Sequence, residues 1–273
     1  MPLDIYQVDA FTNTLFSGNP AAVIPLESAL PDAKMQLIAA ENNLSETAFF
    51  FPIDGGHQLR WFTPTSEVPL CGHATLASAH VVFEFLDLEA EVVHFNSASG
   101  WLSVSKDGSS LKLDFPRISY RACEAPQAVI DALGQVPDEC YVASADSNIM
   151  VVLPSAQAVK DLKPNIRALD ALSEQGLIVT AKADQRAHAD ESKPLLDFVS
   201  RYFAPAFGID EDPVTGSIHC VLTPFWASRL GKRALAARQV SSRGGDLKCI
   251  LSEDRVHISG EARLYMKGQL YLE

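Results

Sequence analysis

The chain has 273 residues, 47% of them hydrophobic and 21% charged, which is enough apolar material for one large domain or two ordinary ones and excludes a disordered or fibrous protein. With 34 acidic against 22 basic side chains the net charge is −12, a field that repels phosphate backbones and anionic membrane surfaces. No nucleic acid and no membrane is therefore expected as a partner, whereas a small anion in a locally positive niche is compatible with these numbers.

The first residues, Met1 to Phe11, lack a basic region followed by an apolar stretch, and no later run approaches about 18 uninterrupted apolar residues. A soluble, cytoplasmic chain is expected. Its five cysteines, at 71, 123, 140, 220 and 249, are odd in number and include no Cys-x-x-Cys pair, so they match neither a disulfide framework nor a zinc site. A reducing compartment is the simplest setting for them.

In chain order, Asp4 to Phe11 reads as a strand, Ser17-Gly-Asn-Pro20 as a turn, Ala21 to Pro25 as a short strand, and Pro31 to Asn43 as a helix opened by proline and closed by paired asparagines. Thr47 to Pro52 is an apolar strand, followed by the Asp54-Gly-Gly56 turn and a strand over Gln58 to Phe62. Residues 73–86 carry almost no charge on any face, which predicts a helix buried on all sides. Short strands follow around Glu91–Asn96, Gly100–Ser105 and Ser110–Asp114.

The chain also resembles itself. At an ungapped offset of 141 residues, Arg60-Trp-Phe-Thr-Pro64 faces Arg201-Tyr-Phe-Ala-Pro205, and both segments lead into apolar helices. In that register Cys71 lies opposite Asp212, Gly72 opposite Pro213 and Thr75 opposite Gly216. Two similar domains joined near Ser119–Pro126 are the consequence, with boundaries at 1–118 and 119–273 and a final strand free to return to the first domain.

Signature motifs of P-loop enzymes, Rossmann dehydrogenases, zincins and α/β serine hydrolases are absent. What remains are polar residues at the ends of elements. Leu70-Cys-Gly-His-Ala-Thr75 precedes the buried helix, where Gly72 is either a plain turn or the place where a ligand approaches unpaired amides beside His73. Glu211-Asp-Pro-Val-Thr-Gly-Ser217 precedes the second helix, where Asp212 is either an ordinary N-cap or part of a second anion-receptive terminus. Glu46, at the mouth of an apolar strand, is either solvated or desolvated with a raised pKa, as a proton shuttle requires. Ser17 to Pro20 and Ser241 to Gly245 are backbone-rich turns.

Taken in order, Gly18-Asn-Pro20, Asn43-Leu-Ser-Glu-Thr-Ala48, Arg60-Trp-Phe-Thr-Pro64, Cys71-Gly-His-Ala-Thr75 and Glu211-Asp-Pro-Val-Thr-Gly-Ser217 resemble the signature segments of the PhzF-like phenazine-biosynthesis isomerase family. The resemblance spans nearly the whole chain. It implies an α+β fold of the diaminopimelate epimerase type: two pseudo-symmetric domains, each a β-barrel-like sheet wrapped around a central helix, with the site between them. It also implies roles. Glu46 is the acid/base, His73 and Asp212 assist it, and Asn19, Gly72, Gly216 and Ser217 bind a substrate carboxylate. In the epimerase branch of this fold two facing cysteines transfer the proton; here Cys71 has Asp212 opposite it in the 141 register. The expected protein is thus an isomerase with no cofactor and no metal, resembling trans-2,3-dihydro-3-hydroxyanthranilate isomerase. Its expected partners are a small anionic carboxylate metabolite and a second copy in a homodimer. A two-base epimerase using Cys71 and a non-catalytic small-molecule-binding protein are the alternatives.

Overall fold

Strands that alternate between antiparallel and parallel neighbours, twice over, organise the computed structural model, which describes residues 2–145, 147–173, 175–183 and 195–272. The chain divides into two units, Met1–Phe115 with Ile258–Glu273, and Pro116–His257. Their boundary lies at 115/116, where 118/119 was expected from sequence.

In the first unit β1 (Leu3–Ala10) runs antiparallel to β2 (Asn19–Pro25), and helix α1 (Asp32–Asn42) crosses over to β3 (Glu46–Ile53), parallel to β2. Pro31 with φ −57° opens α1, and Asn43 in the left-handed region at φ 49° closes it. β3 turns back through Asp54-Gly55 into β4 (Gly56–Phe62). Gly56, at φ 158°, cannot be replaced there, because a Cβ would stand 2.4 Å from the carbonyl oxygen of His94.

The end of β4 pairs with β5 (Glu67–Val68) and its beginning lies parallel to β6 (Val92–Ser97), which continues antiparallel into β7 (Gly100–Asp107) and then β8 (Ser110–Pro116). Ala48, Phe49 and Phe50 are buried in succession, as a strand covered on both faces requires. One face packs with α1 in a cluster of Ile5, Ala22, Ile24, Met35, Ile38 and Phe49. The other turns toward α2 (Gly72–Val81).

Small side chains let α2 sit inside the unit, since Ala74, Ala77 and Ala79 are fully buried. The hydroxyls of Thr75 and Ser78 are satisfied within the helix, donating to the carbonyls of Cys71 and Ala74. The buried stretch is shorter than the apolar run of residues 73–86 implies. After Val81 the chain opens into a wider π-type turn, Val82–Leu86, in which Glu84, Phe85 and Leu86 are exposed.

The second unit holds β9 (Tyr120–Ala122), α3 (Gln127–Leu133), β10 (Glu139–Ala143), β11 (Ile149–Val152), α4 (Ala156–Asp161), α5 (Ile166–Leu169), β12 (Leu177–Lys182), β13 (Phe198–Ala204), β14 (Ile209–Asp212), α6 (His219–Leu230), β15 (Ala234–Gln239) and β16 (Gly245–Ser252). From β10 the ladder runs antiparallel to β11, parallel to β12, antiparallel to β13, parallel to β15 and antiparallel to β16, with β14 also on β13. This is the order of β1, β2, β3, β4, β6 and β7, with β5 on β4. The fold is mixed α and β, and its internal repeat is real. β17 (Arg255–Gly260) leads out of the second unit, and β18 (Ala262–Leu270) pairs antiparallel with β1 in the first.

The repeat also shows a slip that sequence alignment without gaps concealed. Trp61 pairs with Val68, but Tyr202 pairs with Asp212, so three extra residues enter at the short Pro205–Phe207 helical turn. Beyond it the offset is 144, and Glu67-Val-Pro-Leu-Cys-Gly72 matches Glu211-Asp-Pro-Val-Thr-Gly216. Cys71 therefore corresponds to Thr215 and Gly72 to Gly216; the expected matches of Cys71 with Asp212 and Gly72 with Pro213 are corrected.

Side-chain chemistry confirms the new register. Arg60 grips Glu67 with two bonds of 2.7 Å, and Arg201 grips Glu211 with bonds of 2.6 and 2.8 Å. Each guanidinium also lies over the phenylalanine two residues on, Phe62 or Phe203. The two differ in what else they hold. Arg60 reaches Asp32 at the start of α1, whereas Arg201 donates to the carbonyls of Val159 and Leu162, closing the end of α4.

Because Arg201 is buried, its removal strands a carboxylate and two carbonyls. Arg201→Ala should cost about 3–5 kcal/mol against about 1 kcal/mol for the more exposed Arg60→Ala. Urea unfolding of both variants measures this, and equal losses would refute the capping role of Arg201.

Candidate active site

Three element starts in the first unit bring together two of the expected proton-transfer residues, Glu46 and His73, and the expected substrate-binding Asn19. Asn19 is the first residue of β2, Glu46 the first of β3 and His73 the second of α2. In the parallel β2–β3 ladder Glu46 stands beside Ala21. Gly18, at φ 68°, makes the turn that delivers Asn19, since a Cβ there would meet the carbonyl oxygen of Ala10 at 2.2 Å.

Asn19 Nδ2 donates to Nδ1 of His73 at 3.0 Å, and His73 Nε2 lies 3.2 Å from Glu46 Oε2. With Nδ1 accepting, the ring proton resides on Nε2, close to the carboxyl but not aligned for a hydrogen bond to its Oε2. Cys71 Sγ lies 3.5 Å from Nδ1. All four residues are buried, Glu46 at 8% exposure, so the solvated reading of this strand-end glutamate is set aside. Loss of water pushes the His73 pKa down to about 3 and keeps the imidazole neutral. Asn19, expected on the substrate, uses its amide donor to fix the histidine.

Cys71, in the N-cap position of α2, makes no side-chain capping bond to the first turn, where Gly72 sits. Glu46, Cys71 and His73 each offer a ligand atom within 4.8 Å of the others, a donor set with the composition of a site for a soft divalent cation.

The second unit builds a different arrangement on the equivalent segment. Asp212 ends β14 and is buried, and its Oδ2 accepts from Thr215 Oγ1 at 2.5 Å. It is not an N-cap, because α6 begins at His219 with Ile218 in the cap position. Gly216 and Ser217, expected at the helix start, lie in the preceding turn, their carbonyls accepting from the amides of His219 and Cys220. Gln239 ties the segment together: its Oε1 accepts from the Thr215 amide at 2.9 Å and its Nε2 donates to the Asp212 carbonyl at 2.6 Å. His219 donates through Nδ1 to the Thr215 carbonyl at 2.8 Å, and burial lowers its pKa to about 4. Gln239 and His219 were not among the expected residues. The 144 register would have exposed His219, which corresponds to Thr75, but nothing local marks Gln239.

This duplicated mixed fold is one that isomerases and epimerases share. Comparison with known proteins narrows the class. Residues 8–268 match the PhzC-PhzF family, described as phenazine biosynthesis-like protein, and the chain belongs to that family. It is 47% identical to an uncharacterized isomerase of Pseudomonas aeruginosa, with 100% of both chains covered. A crystal structure of a PhzF-family phenazine biosynthesis protein from Enterococcus faecalis is similar at 45% identity, 100% coverage of both chains and TM-score 0.90. A hydroxyproline epimerase from Agrobacterium vitis shares the fold alone, at 10% identity and TM-score 0.64 over 98% of this chain and 92% of its own. No helix among the described residues is long and apolar enough to cross a membrane.

The buried histidines set a pH dependence. Their folded pKa values, about 3 and about 4, lie below the ordinary 6.5, so between these limits the unfolded chain binds protons that the folded chain refuses. Stability therefore rises with pH across that window and is lost as pH falls through it, by up to about 1.4 kcal/mol per pH unit for each histidine. Denaturant unfolding at pH 7 and pH 5 should show a smaller loss in His219→Asn than in the wild type; identical losses would remove His219 as a source.

Proposed function

We propose that the chain is a cofactor-independent isomerase of a small carboxylic acid, with Glu46 as the group that takes and returns the proton. The observation that carries this reading is the buried Glu46 carboxyl, with its Oε2 3.2 Å from the Nε2 of a histidine held neutral. Moving a proton between carbons needs one group that accepts and re-delivers it, a neighbour that tunes that group, and fixed dipoles where negative charge develops. Glu46 fills the first role and His73, oriented by Asn19, the second.

Asp212 assists in this reading, and Gly72, Gly216 and Ser217 bind the substrate carboxylate. Support for the Asp212 role is its burial and its fixation by Thr215 and Gln239. A substrate related to trans-2,3-dihydro-3-hydroxyanthranilate, a homodimer and a cytoplasmic location complete the proposal on the strength of the family resemblance.

A two-base epimerase acting through Cys71 is the second reading, favoured by the 3.5 Å approach of its thiol to His73. Against it, the corresponding residue of the repeat is Thr215, whose hydroxyl is engaged by Asp212. A catalytically silent binding protein of the same fold is the third, and it requires no proton transfer at all.

Two variants separate these readings. Glu46→Gln preserves shape and removes the base; on an identified substrate its kcat should fall at least about 100-fold with KM little changed. Full turnover by Glu46→Gln would end the assignment. Cys71→Ser should keep most of its activity, whereas collapse of turnover together with sensitivity to thiol alkylation would move the reaction to the thiol. Exhaustive chelation should leave turnover unchanged, and a loss restored by added divalent metal would reassign the Glu46, Cys71 and His73 cluster.

A further inference from the structure

The cysteines form no Cys-x-x-Cys motif, yet the fold brings two of them face to face. β9 pairs antiparallel with β10 through Tyr120 with Ala143, Arg121 with Val142, and Ala122 with Tyr141. The next rung joins Cys123 to Cys140, and the Cys123 amide donates to the Cys140 carbonyl at 3.0 Å. Directly opposed residues of such a rung have Cα atoms about 5.5 Å apart, within the range that a disulfide spans. The two sulfurs are already only 3.6 Å apart.

We propose that Cys123 and Cys140 are an oxidation site at which a peroxide closes a disulfide between β9 and β10. Both thiols are free, so the site is in its reduced form. Cys123 is partly exposed and meets the oxidant first, while Cys140 is buried behind it. The Cys123 thiolate attacks one peroxide oxygen, the O–O bond breaks, and the departing hydroxide takes a proton to become water. Cys123 then carries a sulfenic acid.

The Cys140 sulfur next attacks the Cys123 sulfur. The S–S bond forms, the S–O bond breaks, and the released hydroxide leaves as a second water with the Cys140 proton. Two thiols and one hydrogen peroxide thus give one disulfide and two waters, the sulfurs losing the two electrons that the peroxide gains. Burial and the neighbouring Cys123 push the Cys140 thiol up to about 12, which keeps it protonated and idle until Cys123 has been oxidised.

Both cysteines contact the apolar cluster of Val129, Val151 and Val179, so the sulfurs are held in place rather than carried on a free loop. The bridge would join residues 17 apart in sequence, removing conformations from the unfolded chain more than it distorts the folded one. The other three cysteines, Cys71, Cys220 and Cys249, are buried and serve as internal controls.

The test treats the intact protein with hydrogen peroxide, then denatures it, labels remaining thiols with iodoacetamide and maps the peptides by mass spectrometry. The expected result is a peptide pair linked through Cys123 and Cys140 with two hydrogens lost, and label on Cys71, Cys220 and Cys249. The oxidised protein should also melt several degrees higher, with dithiothreitol reversing both changes. Cys123→Ser should abolish the link and the shift, which keeps the test valid even where Cys140→Ser fails to fold. Label on all five cysteines after peroxide, a sulfinic acid on Cys123 with Cys140 still labelled, or a link between two copies would each overturn the proposal.

Discussion

His73 has lost its water, and the other groups of the first unit's site are arranged around that loss. An imidazole buried among alanines on α2 is kept neutral, so one ring nitrogen must accept a hydrogen bond and the other carries the proton. Asn19 fills the accepting side, which fixes the tautomer and leaves the proton on Nε2, the ring nitrogen that lies 3.2 Å from Glu46 Oε2. Asn19 in turn depends on Gly18, the only residue type whose lack of a Cβ lets the chain pass the Ala10 carbonyl. A backbone turn, an amide, a ring and a carboxyl form one chain of constraint, each link setting the geometry of the next.

The duplicated ladder shows how one scaffold came to present different chemistry on equivalent segments. In both units a strand arginine holds a glutamate two-handed, and that glutamate opens the segment leading to the buried helix. Downstream the copies diverge. The first places Cys71 and His73 there, with Asn19 on the imidazole; the second places Thr215 and Ser217, with Asp212, Gln239 and the deeper His219 knitted into a hydrogen-bonded group. The framework that fixes each segment is separate from the side chains that differentiate it.

Much of this is legible in the amino-acid sequence because the decisive residues sit at element ends, where local rules are strongest. Pro31 and Asn43 bracket α1, and the run from Thr47 to Pro52 declares an apolar strand, which the structure buries from Thr47 to Phe50. Glu46, His73 and Asp212 stand out by their positions beside apolar elements. Three features are hidden. The insertion at Pro205–Phe207 shifts the repeat from 141 to 144, a change without local compositional mark. Gln239 reaches Asp212 and Thr215 across more than 20 residues, and the Cys123–Cys140 rung exists only through strand pairing. Long-range partners of this kind are fixed by topology, and no windowed pattern encodes them.

β18 has a consequence for the order in which the molecule is made. Residues 262–270 complete the sheet beside β1, although the whole of the second unit, 116–257, lies between them in the chain. During synthesis the ribosome releases β1 early, and one edge of that strand keeps its amides and carbonyls without their native partner until the second unit has been translated. The unit begun first is thus finished last, and through that interval its β1 edge is open to pairing with another nascent strand.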